Sequence, residues 1–414
     1  MTTIYYENWP VAHLSDQDGI SLSYDPEWEK RTSAFPVSLT MPMRAGSHRP
    51  ERVMPWLANL LPETHLSEIG QQLKVSPQDV LGLLMRVGRD TAGAFSIGEP
   101  RREGNNFRIV DDEAALERII DELPERPFLI GERGVSMSLA GVQDKLPVYL
   151  DQHARIGIPL DGTPSTHILK PDIKRLAGSV TNEAFCMILA RLCGLDAAEV
   201  TIGCAGKRDY LLVRRYDRVS DGQGIVRRIH QEDFCQLLGL FPAEKYEQTG
   251  LGQRGGASLP QMFEVLARLV SPAERIRLLD AVVFNVLICN SDSHAKNYSV
   301  LVGASGTARL APLYDLMCAA SYKQVNQSLP QHLAGKRNAD ELHGKDWRQF
   351  ATDVGLSPAT VTRRVGELAA LVATKADEAL EQVQFYPFSN RELASNLVFL
   401  IKKRCRRIER QISD

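Results

Sequence analysis

The alternation of apolar and polar residues predicts an α/β unit at the start of the chain. Ser21–Tyr24 and residues 37–41 alternate as half-buried strands do. Residues 76–87 predict a helix that Ser76 caps, with Pro77 at its first position. A polar stretch at residues 101–106 then predicts a connection. The first expected subdomain is therefore α/β and spans residues 1–105.

A second α/β segment is expected over residues 131–219. Leu146–Leu150, residues 166–171 and residues 210–213 have the composition of strands. Residues 181–193 form a strongly apolar helical pattern, and Gly194 is placed to end that helix. The glycine-rich residues 220–224 indicate a break, after which the pattern changes.

Residues 220–414 have mostly helical periodicity. Ser271 and Glu274 predict a capping box, with Pro272 at the first position of a helix of about 18 residues. Its later turns are apolar on nearly every side, so this helix should be buried. Two further helical patterns cover residues 358–383 and 390–411. The predicted fold class is an α/β (α+β) N-terminal lobe followed by a mostly α-helical C-terminal lobe.

Composition and charge exclude several classes of protein. The 414 residues are 43% apolar, which allows a large core, and the net charge of −2 argues against a dedicated nucleic-acid-binding chain. Seven cysteines without a C-x-x-C pair are typical of reduced thiols in a cytosolic protein. The N-terminus lacks the features of a signal peptide, and no apolar run is long enough to predict a transmembrane helix.

Three oxygen-bearing side chains fall in the order and spacing that protein-kinase-type phosphoryl transfer needs. Asp292 precedes Asn297 by five positions, and a short apolar hairpin leads from there to Asp315. In such enzymes the first Asp accepts the substrate hydroxyl proton, while the Asn and the second Asp bind Mg²⁺. The alternative for Asp292–Ser293–His294 is a hydrolase or a transition-metal site, but the segment has only one histidine. His294 and Lys296 could orient phosphates or the catalytic Asp.

Other candidate residues have structural explanations that stay open. The loop from Ser138 to Lys145 could bring backbone N–H groups to nucleotide phosphates or be an ordinary turn. Lys170, at a strand end, could pair with phosphates or be a solvated surface lysine. Glu183 could pair with Lys170 or contact metal. Alternatively, the helix dipole could stabilise its carboxylate in the first turn of the helix.

Two basic segments carry similar alternatives. Arg214, Arg215 and Tyr216 follow a strand, where a hinge between lobes could read an adenine through backbone groups with Tyr216 packed on the ring. The same segment could be a solvated basic turn. The basic residues 402–407 could touch nucleic acid, although the solvated face of a helix explains them more simply.

Several separated motifs, in order, make the chain resemble the HipA family of toxin serine/threonine kinases. The N-terminal motif is Gly88-Arg89-Asp90-Thr91-Ala92-Gly93-Ala94, and residues 138–145 resemble the S-x-A-G-x-Q-(E/D)-K loop. Residues 166–170 resemble the T-H-I-(I/L)-K strand, and Asn182-Glu183 the N-E segment. Residues 231–236 resemble Q-E-D-x-C-Q, followed by Lys245-Tyr246-Glu247. Residues 292–297 resemble D-G-H-A-K-N, and residues 312–315 resemble P-(F/L)-Y-D.

The resemblance implies a role for each matching residue. Asp292 would be the catalytic base, Asn297 and Asp315 the Mg²⁺ ligands, and Lys170 the lysine that holds ATP phosphates. Ser138 would be an autophosphorylation site whose modification ejects the loop and inactivates the kinase. The ATP-contacting set would further comprise Ala140, Gly141, Val142, Gln143, Asp144, Lys145, Arg214, Arg215, Tyr216, His294, Ala295, Lys296 and Tyr314.

The resemblance also implies partners. These are a small DNA-binding antitoxin of the HipB type, operator DNA bound through that complex, and a protein substrate that could be an aminoacyl-tRNA synthetase, with growth arrest and persistence as the outcome. The alternatives are a catalytically silent kinase-like subunit acting as a corepressor and a small-molecule kinase. Ser293 replaces the usual glycine, and Arg214 replaces a common acidic residue, which puts a side-chain contact to adenine in doubt.

Overall fold

The computed structural model describes residues 1–16, 19–102, 104–222, 224–248, 255–387 and 389–412. Glu103 of the predicted connection and Gln223 of the predicted break lie outside these residues. The chain divides into two compact units. Unit 1 comprises residues 1–171, 204–242 and 300–308, and unit 2 comprises residues 172–203, 243–299 and 309–414. The three predicted domain ranges remain a prediction.

The strands of the chain are mostly short. They are β1 (Thr2–Tyr6), β2 (Trp9–Ser15), β3 (Ser21–Tyr24), β4 (Phe95–Ile97), β5 (Phe107–Ile109), β6 (Leu146–Leu150), β7 (Ile156–Pro159), β8 (His167–Pro171), β9 (Val200–Ala205), β10 (Arg208–Arg214), β11 (Arg218–Ser220), β12 (Val226–Arg228), β13 (His230–Asp233), β14 (Ser299–Val302) and β15 (Ala308–Leu310).

The helices lengthen toward the C-terminus. They are α1 (Pro26–Glu29), α2 (Pro50–Ala58), α3 (Leu66–Leu73), α4 (Val80–Val87), α5 (Glu113–Glu122), α6 (Ser179–Leu192), α7 (Phe234–Leu238), α8 (Leu259–Leu269), α9 (Pro272–Leu287), α10 (Gly344–Asp353), α11 (Pro358–Gln384) and α12 (Arg391–Ile412). This mixed architecture confirms the predicted fold class.

Unit 1 is built on antiparallel sheets. One has the strand order β3-β2-β1-β4, and the other contains β5-β7-β6-β8-β10 in that order. In the second sheet β8 lies between β6 and β10, with Leu169 opposite Leu146 and Leu212. Leu169 is fully buried. The predicted strands at 21–24, 146–150 and 166–171 are therefore confirmed, and the last of them is central in its sheet.

A buried ion cluster joins distant parts of unit 1. Asp90 accepts from Arg218 at 2.9 Å and from Arg228 at 3.2 Å, and it lies 3.5 Å from Arg215. Asp217 pairs with Arg215 at 2.7 Å and with Arg218 at 2.9 Å. All five side chains are at most 4% exposed. Burial alone would raise the pKa of Asp90, but the three guanidinium groups hold it well below its ordinary value.

Unit 2 is organised around α11. This helix packs against α6, α9, α10 and α12. Its buried residues recur at helical spacing, namely Val361, Val365, Leu368, Ala369, Val372, Ala376, Ala379 and Val383. Contact with helices on several sides explains why the stripe is long and why small alanines alternate with branched residues. The predicted helices at 358–383 and 390–411 are confirmed to within one residue at either end.

Two local predictions are wrong, and each failure has a physical cause. Residues 37–41 are a turn rather than a strand, because the hydroxyl of Tyr24 accepts from the N–H of Val37 at 2.8 Å and Glu232 accepts from that of Leu39 at 2.8 Å. Helix α4 begins at Val80 and not near Ser76. Asp79 caps it by accepting from the N–H of Gly82 at 2.8 Å.

The start of α9 also differs from the prediction. Helix α9 begins at Pro272 as expected, but the Ser271 side chain makes no capping hydrogen bond. Glu274 instead pairs with Arg277 at 3.0 Å and accepts from the N–H of Leu310 at 2.7 Å. Glu183 is likewise in the second turn of α6, because that helix begins at Ser179.

All seven cysteines are free thiols, and five of them are buried. In the described part of the chain, we find no helix with the length and hydropathy needed to cross a membrane.

The cluster gives a stability prediction for Asp90→Asn. Removing one carboxylate leaves buried guanidinium groups without their counter-charge, which typically costs about 3–5 kcal/mol. Because the pKa of Asp90 is lowered in the folded state, this stability is present above about pH 4 and is lost as the pH falls below it. Urea unfolding followed by tryptophan fluorescence measures the change.

The matched control is Asp121→Asn in the same unit, since Asp121 pairs with Arg208 at 2.7 Å but is 49% exposed. The control should unfold close to wild type. If the two variants lose equal stability at pH 7, the buried cluster does not have the importance assigned to it.

Candidate active site

A chain of amide side chains fixes the backbone of Asp292 within unit 2. Helix α9 ends at Leu287, and Cys289 takes a left-handed conformation with φ of 59° that turns the chain. Asn285 accepts from Asn290 at 2.9 Å, and Asn290 in turn accepts from the N–H of Asp292 at 3.0 Å. The buried helix predicted from the apolar pattern therefore positions this acidic residue through two asparagines.

The carboxylate of Asp292 is held by a tyrosine. The hydroxyl of Tyr246 donates to Oδ1 of Asp292 at 2.5 Å. Asp292 is exposed, whereas residues 293–300 are all buried. The segment 292–300 thus exposes one oriented carboxylate, and its other residues are buried. Sequence reasoning assigned no role to Tyr246, although its Lys-Tyr-Glu motif was visible.

Asn297 folds back onto Asp292. Its Nδ2 donates to the carbonyl oxygen of Asp292 at 2.8 Å, and its backbone N–H donates to that of His294 at 2.8 Å. Among the described residues, Oδ1 of Asn297 makes no hydrogen bond, so this oxygen is available to coordinate a cation.

The segment of Asp315 is tied to the same loop. The hydroxyl of Tyr314 donates to the carbonyl oxygen of Lys296 at 2.6 Å and lies 2.7 Å from Oγ of Ser299. Asp315 itself has φ of 58°, a left-handed conformation that is uncommon outside glycine. The structure therefore brings together the segments of Asp292, Asn297, Tyr314 and Asp315, as their order in the sequence predicts.

The donors fit Mg²⁺ rather than a transition metal. Asn297 and Asp315 offer oxygen atoms, which Mg²⁺ prefers, and Mg²⁺ completes its shell with phosphate oxygens and water. Across the described residues, no group of three or more His, Cys, Asp or Glu side chains could hold a metal ion. This does not favour the transition-metal alternative for the Asp292–His294 segment.

His294 is buried as a neutral imidazole. It is 6% exposed, and the edge of the Tyr246 ring packs against it at a centroid distance of 5.2 Å. Burial, reinforced by the charge of Lys245, lowers the pKa of His294 to about 3, although Asp315 opposes the shift. Among the described residues its Nδ1 has no hydrogen-bond partner. His294 can therefore donate or accept one hydrogen bond without adding charge.

Unit 1 holds the predicted nucleotide loop. Gly141 has φ of 111°, which requires glycine. Lys145 donates to the carbonyl oxygen of Ala140, and Gln143 donates to that of Pro171 at 3.2 Å. Ser138 is fully buried.

Lys170 and Glu183 are both buried, in unit 1 and unit 2 respectively. Lys170 is 8% exposed within β8, so it is not a solvated surface lysine. Glu183 is 3% exposed, so helix-dipole stabilisation at the surface does not explain it. Buried charged groups of this kind are expected to have partners.

The predicted hinge segment, residues 214–216, is not simply a solvated turn. The Arg215 side chain belongs to the buried ion cluster. The backbone N–H of Arg215 donates to the carbonyl oxygen of Thr166 at 3.0 Å. Tyr216 donates to Gln231, while Arg214 is exposed. The Arg215 side chain is thus engaged in buried ion pairs, and a contact between Arg215 and a nucleotide stays a prediction. Contacts by the remaining backbone groups stay a prediction.

Comparisons with known proteins agree with this arrangement. The family model of the HipA N-terminal domain matches residues 2–98, and the model of the HipA-like C-terminal domain matches residues 137–376. A protein named "Putative kinase Y4mE" from Sinorhizobium fredii is 37% identical over 87% of each chain. The serine/threonine-protein kinase toxin HipA of Shewanella oneidensis is 31% identical over 82% of this chain and 79% of that protein.

A solved structure gives the same result for the fold. The Shewanella oneidensis HipA structure, a complex with HipB and operator DNA, superposes with a TM-score of 0.86 and 25% identity. The superposition covers 100% of this chain and 98% of the other.

The environment of His294 predicts that it stays neutral from pH 8 to pH 5. The folded pKa of about 3 lies below the ordinary value of about 6.5, so the unfolded chain takes up the proton first and stability falls as the pH drops below about 6.5. Nitrogen-15 histidine NMR measures the protonation state, with His294→Gln identifying the signal. In urea the same residue should titrate near pH 6.5. An imidazolium signal for His294 at pH 6 in the folded protein would contradict the assignment.

Proposed function

The chain belongs to the HipA family, and we propose that it is an ATP- and Mg²⁺-dependent serine/threonine protein kinase that acts as the toxin of a toxin–antitoxin pair. The observation that carries the proposal is the exposed carboxylate of Asp292. Tyr246 orients that carboxylate, and Asn297 is hydrogen-bonded to the same residue's backbone. A catalytically silent subunit would have no need of this arrangement.

In the proposed reaction Asp292 accepts the proton of a substrate serine hydroxyl. The hydroxyl oxygen attacks the γ-phosphorus of ATP, the bond to the bridging oxygen breaks, and ADP leaves. Positioning supplies much of the rate, because a fixed carboxylate does not have to be reoriented in each turnover. Tyr246 and the Asn285–Asn290 pair provide that fixation.

Charge on the transferring group would be offset by a bound metal ion and by a lysine side chain. Asn297 and Asp315 would hold Mg²⁺, which neutralises phosphate charge when bound. Lys170 would contribute positive charge to the ATP phosphates. The neutral imidazole of His294 would hydrogen-bond to a phosphate oxygen or position Asp292 without altering the local charge.

The proposed partners follow from the relatives. Since the Shewanella oneidensis protein is complexed with HipB and operator DNA, we infer a HipB-like antitoxin here and operator binding through it in the cytoplasm. An aminoacyl-tRNA synthetase is the first protein acceptor to test, because the family resemblance implies it. Ser138 is the proposed autophosphorylation site.

Labelling with γ-³²P-ATP and Mg²⁺ tests the kinase proposal. Wild-type protein produced with a phosphatase should label itself at Ser138, which phosphopeptide mass spectrometry identifies. Asp292→Asn and Asp315→Asn should lower the initial rate by at least about a hundredfold, because each removes a group acting in the transition state. Ser138→Ala should abolish self-labelling while still labelling a panel of synthetases.

Absence of label in verified unphosphorylated wild type would contradict kinase activity. Equal labelling of wild type and Asp292→Asn would contradict the assigned base.

Tyr246→Phe tests the orientation of the base. A hydrogen bond to a charged group contributes about 1.5–3 kcal/mol, and about 1.36 kcal/mol is a factor of ten in rate. We therefore expect kcat to fall at least about tenfold with little change in KM for ATP, measured by steady-state acceptor labelling. Tyr386→Phe, in the same unit but outside the candidate site, is the control and should match wild type. A change in KM alone would contradict a role in orientation.

A further inference from the structure

One short segment of unit 1 contacts the predicted nucleotide loop, residues 138–145, at several positions. Residues 60–65 meet the loop at four points along its length. The hydroxyl of Ser138 donates to the carbonyl oxygen of Leu60 at 2.8 Å, and the N–H of Glu63 donates to that of Gly141 at 3.2 Å. The hydroxyl of Thr64 donates to the carbonyl oxygen of Val142 at 3.2 Å, and Nε2 of His65 lies 3.3 Å from Oδ1 of Asp144.

This segment, here called the latch, is itself anchored at both ends. Asn59, just after α2, donates to the carbonyl oxygens of Pro55 and Leu240, each at 2.8 Å. Leu60 and Leu61 are each 3% exposed. At the other end His65 leads directly into α3. The latch therefore holds the loop against packed structure.

The loop contributes little to its own position. Gly141 gives it a flexible point, and the side chain of Val142 is 47% exposed. Lys145 donates to the carbonyl oxygen of Ala140 within the loop, and Gln143 donates to that of Pro171 in β8 at 3.2 Å. A loop of this kind opens readily unless external contacts oppose opening.

We propose that the latch, residues 60–65, positions the nucleotide loop and thereby sets both the affinity for ATP and the rate at which Ser138 becomes phosphorylated. Thr64 and His65 are its side-chain positioning residues. The proposal rests on the proposed kinase function and adds a regulatory element in the N-terminal domain to it.

The burial of Ser138 fixes the order of events. A hydroxyl that is fully buried and donates to Leu60 cannot reach a γ-phosphate, so the latch must open before Ser138 can react. Its oxygen then bonds to the γ-phosphorus, the proton passes to the catalytic carboxylate, and ADP leaves. The resulting phosphate carries about two negative charges and mainly accepts hydrogen bonds. It cannot restore the bond to the Leu60 carbonyl, so the loop cannot return.

The test uses the full-length double variant Thr64→Val/His65→Asn. Valine removes the hydroxyl at nearly constant shape, and asparagine tolerates the left-handed backbone of His65, whose φ is 62°. Hydrogen exchange of residues 139–145 without nucleotide should become faster. The Kd for a non-hydrolysable ATP analogue, measured by calorimetry, should rise about three- to tenfold, as expected for the loss of one hydrogen bond and one close contact between His65 and a carboxylate. The initial rate of Ser138 labelling at saturating ATP should rise.

Two further variants separate positioning from folding. Thr64→Ser keeps the hydroxyl and, in the His65→Asn background, should restore part of the exchange protection and affinity. Thr32→Val, an exposed threonine of the same unit, should leave both at wild-type values.

Unchanged loop exchange in the double variant, or faster exchange with an unchanged Kd, would overturn the latch. Faster exchange and weaker analogue binding with no labelling of any protein would support the latch while contradicting the kinase proposal.

Discussion

The carboxylate of Asp90 is the contact on which unit 1 depends. It lies buried among the guanidinium groups of Arg215, Arg218 and Arg228, which come from sequence segments far from it. Asp217 supplies the second negative charge, so three cations face two anions. Other guanidinium N–H groups donate to carbonyl oxygens, including those of Thr91, Gly93 and Gly162, while among the described residues Nε of Arg218 and Nε of Arg228 have no hydrogen-bond partner. This cluster favours one arrangement of the segments, because partial opening would leave a buried charge without its counter-charge.

The same residue also supports the nucleotide loop through its backbone. The carbonyl oxygen of Asp90 accepts from the N–H of Ser138 at 3.0 Å, and its N–H donates to the carbonyl of Ser136 at 3.2 Å. The entry to the loop is thus fixed to the ion cluster, whereas the rest of the loop contacts the latch and, through Gln143, the carbonyl oxygen of Pro171. A loop that binds phosphates and also moves needs a rigid first segment and a remainder whose contacts can break.

The sequence was sufficient where one physical effect dominates locally. Strands β3, β6 and β8 and helices α9, α11 and α12 follow their apolar periodicity, and the segments of Asp292, Asn297 and Asp315 lie together as their order in the sequence predicts. The sequence was insufficient where residues far away along the chain determine the local structure. The turn at residues 37–41 is satisfied by Glu232, and the basic run at Arg215 is buried by Asp90. Periodicity cannot show pairing across more than a hundred residues. The role of Tyr246 likewise appears only in three dimensions.

Placing the proposed phosphate acceptor inside the structure has a quantitative consequence. An exposed serine near bound ATP would react in every molecule, whereas a buried one reacts only in the open fraction. Each 1.4 kcal/mol by which loop contacts favour the closed state lowers that fraction about tenfold. The active lifetime of the toxin would then be set mainly by contacts of residues 60–65 and by the hydroxyl of Ser138 itself. In the proposed mechanism Asp292 would serve both reactions, whereas the contacts of residues 60–65 would additionally limit the one at Ser138.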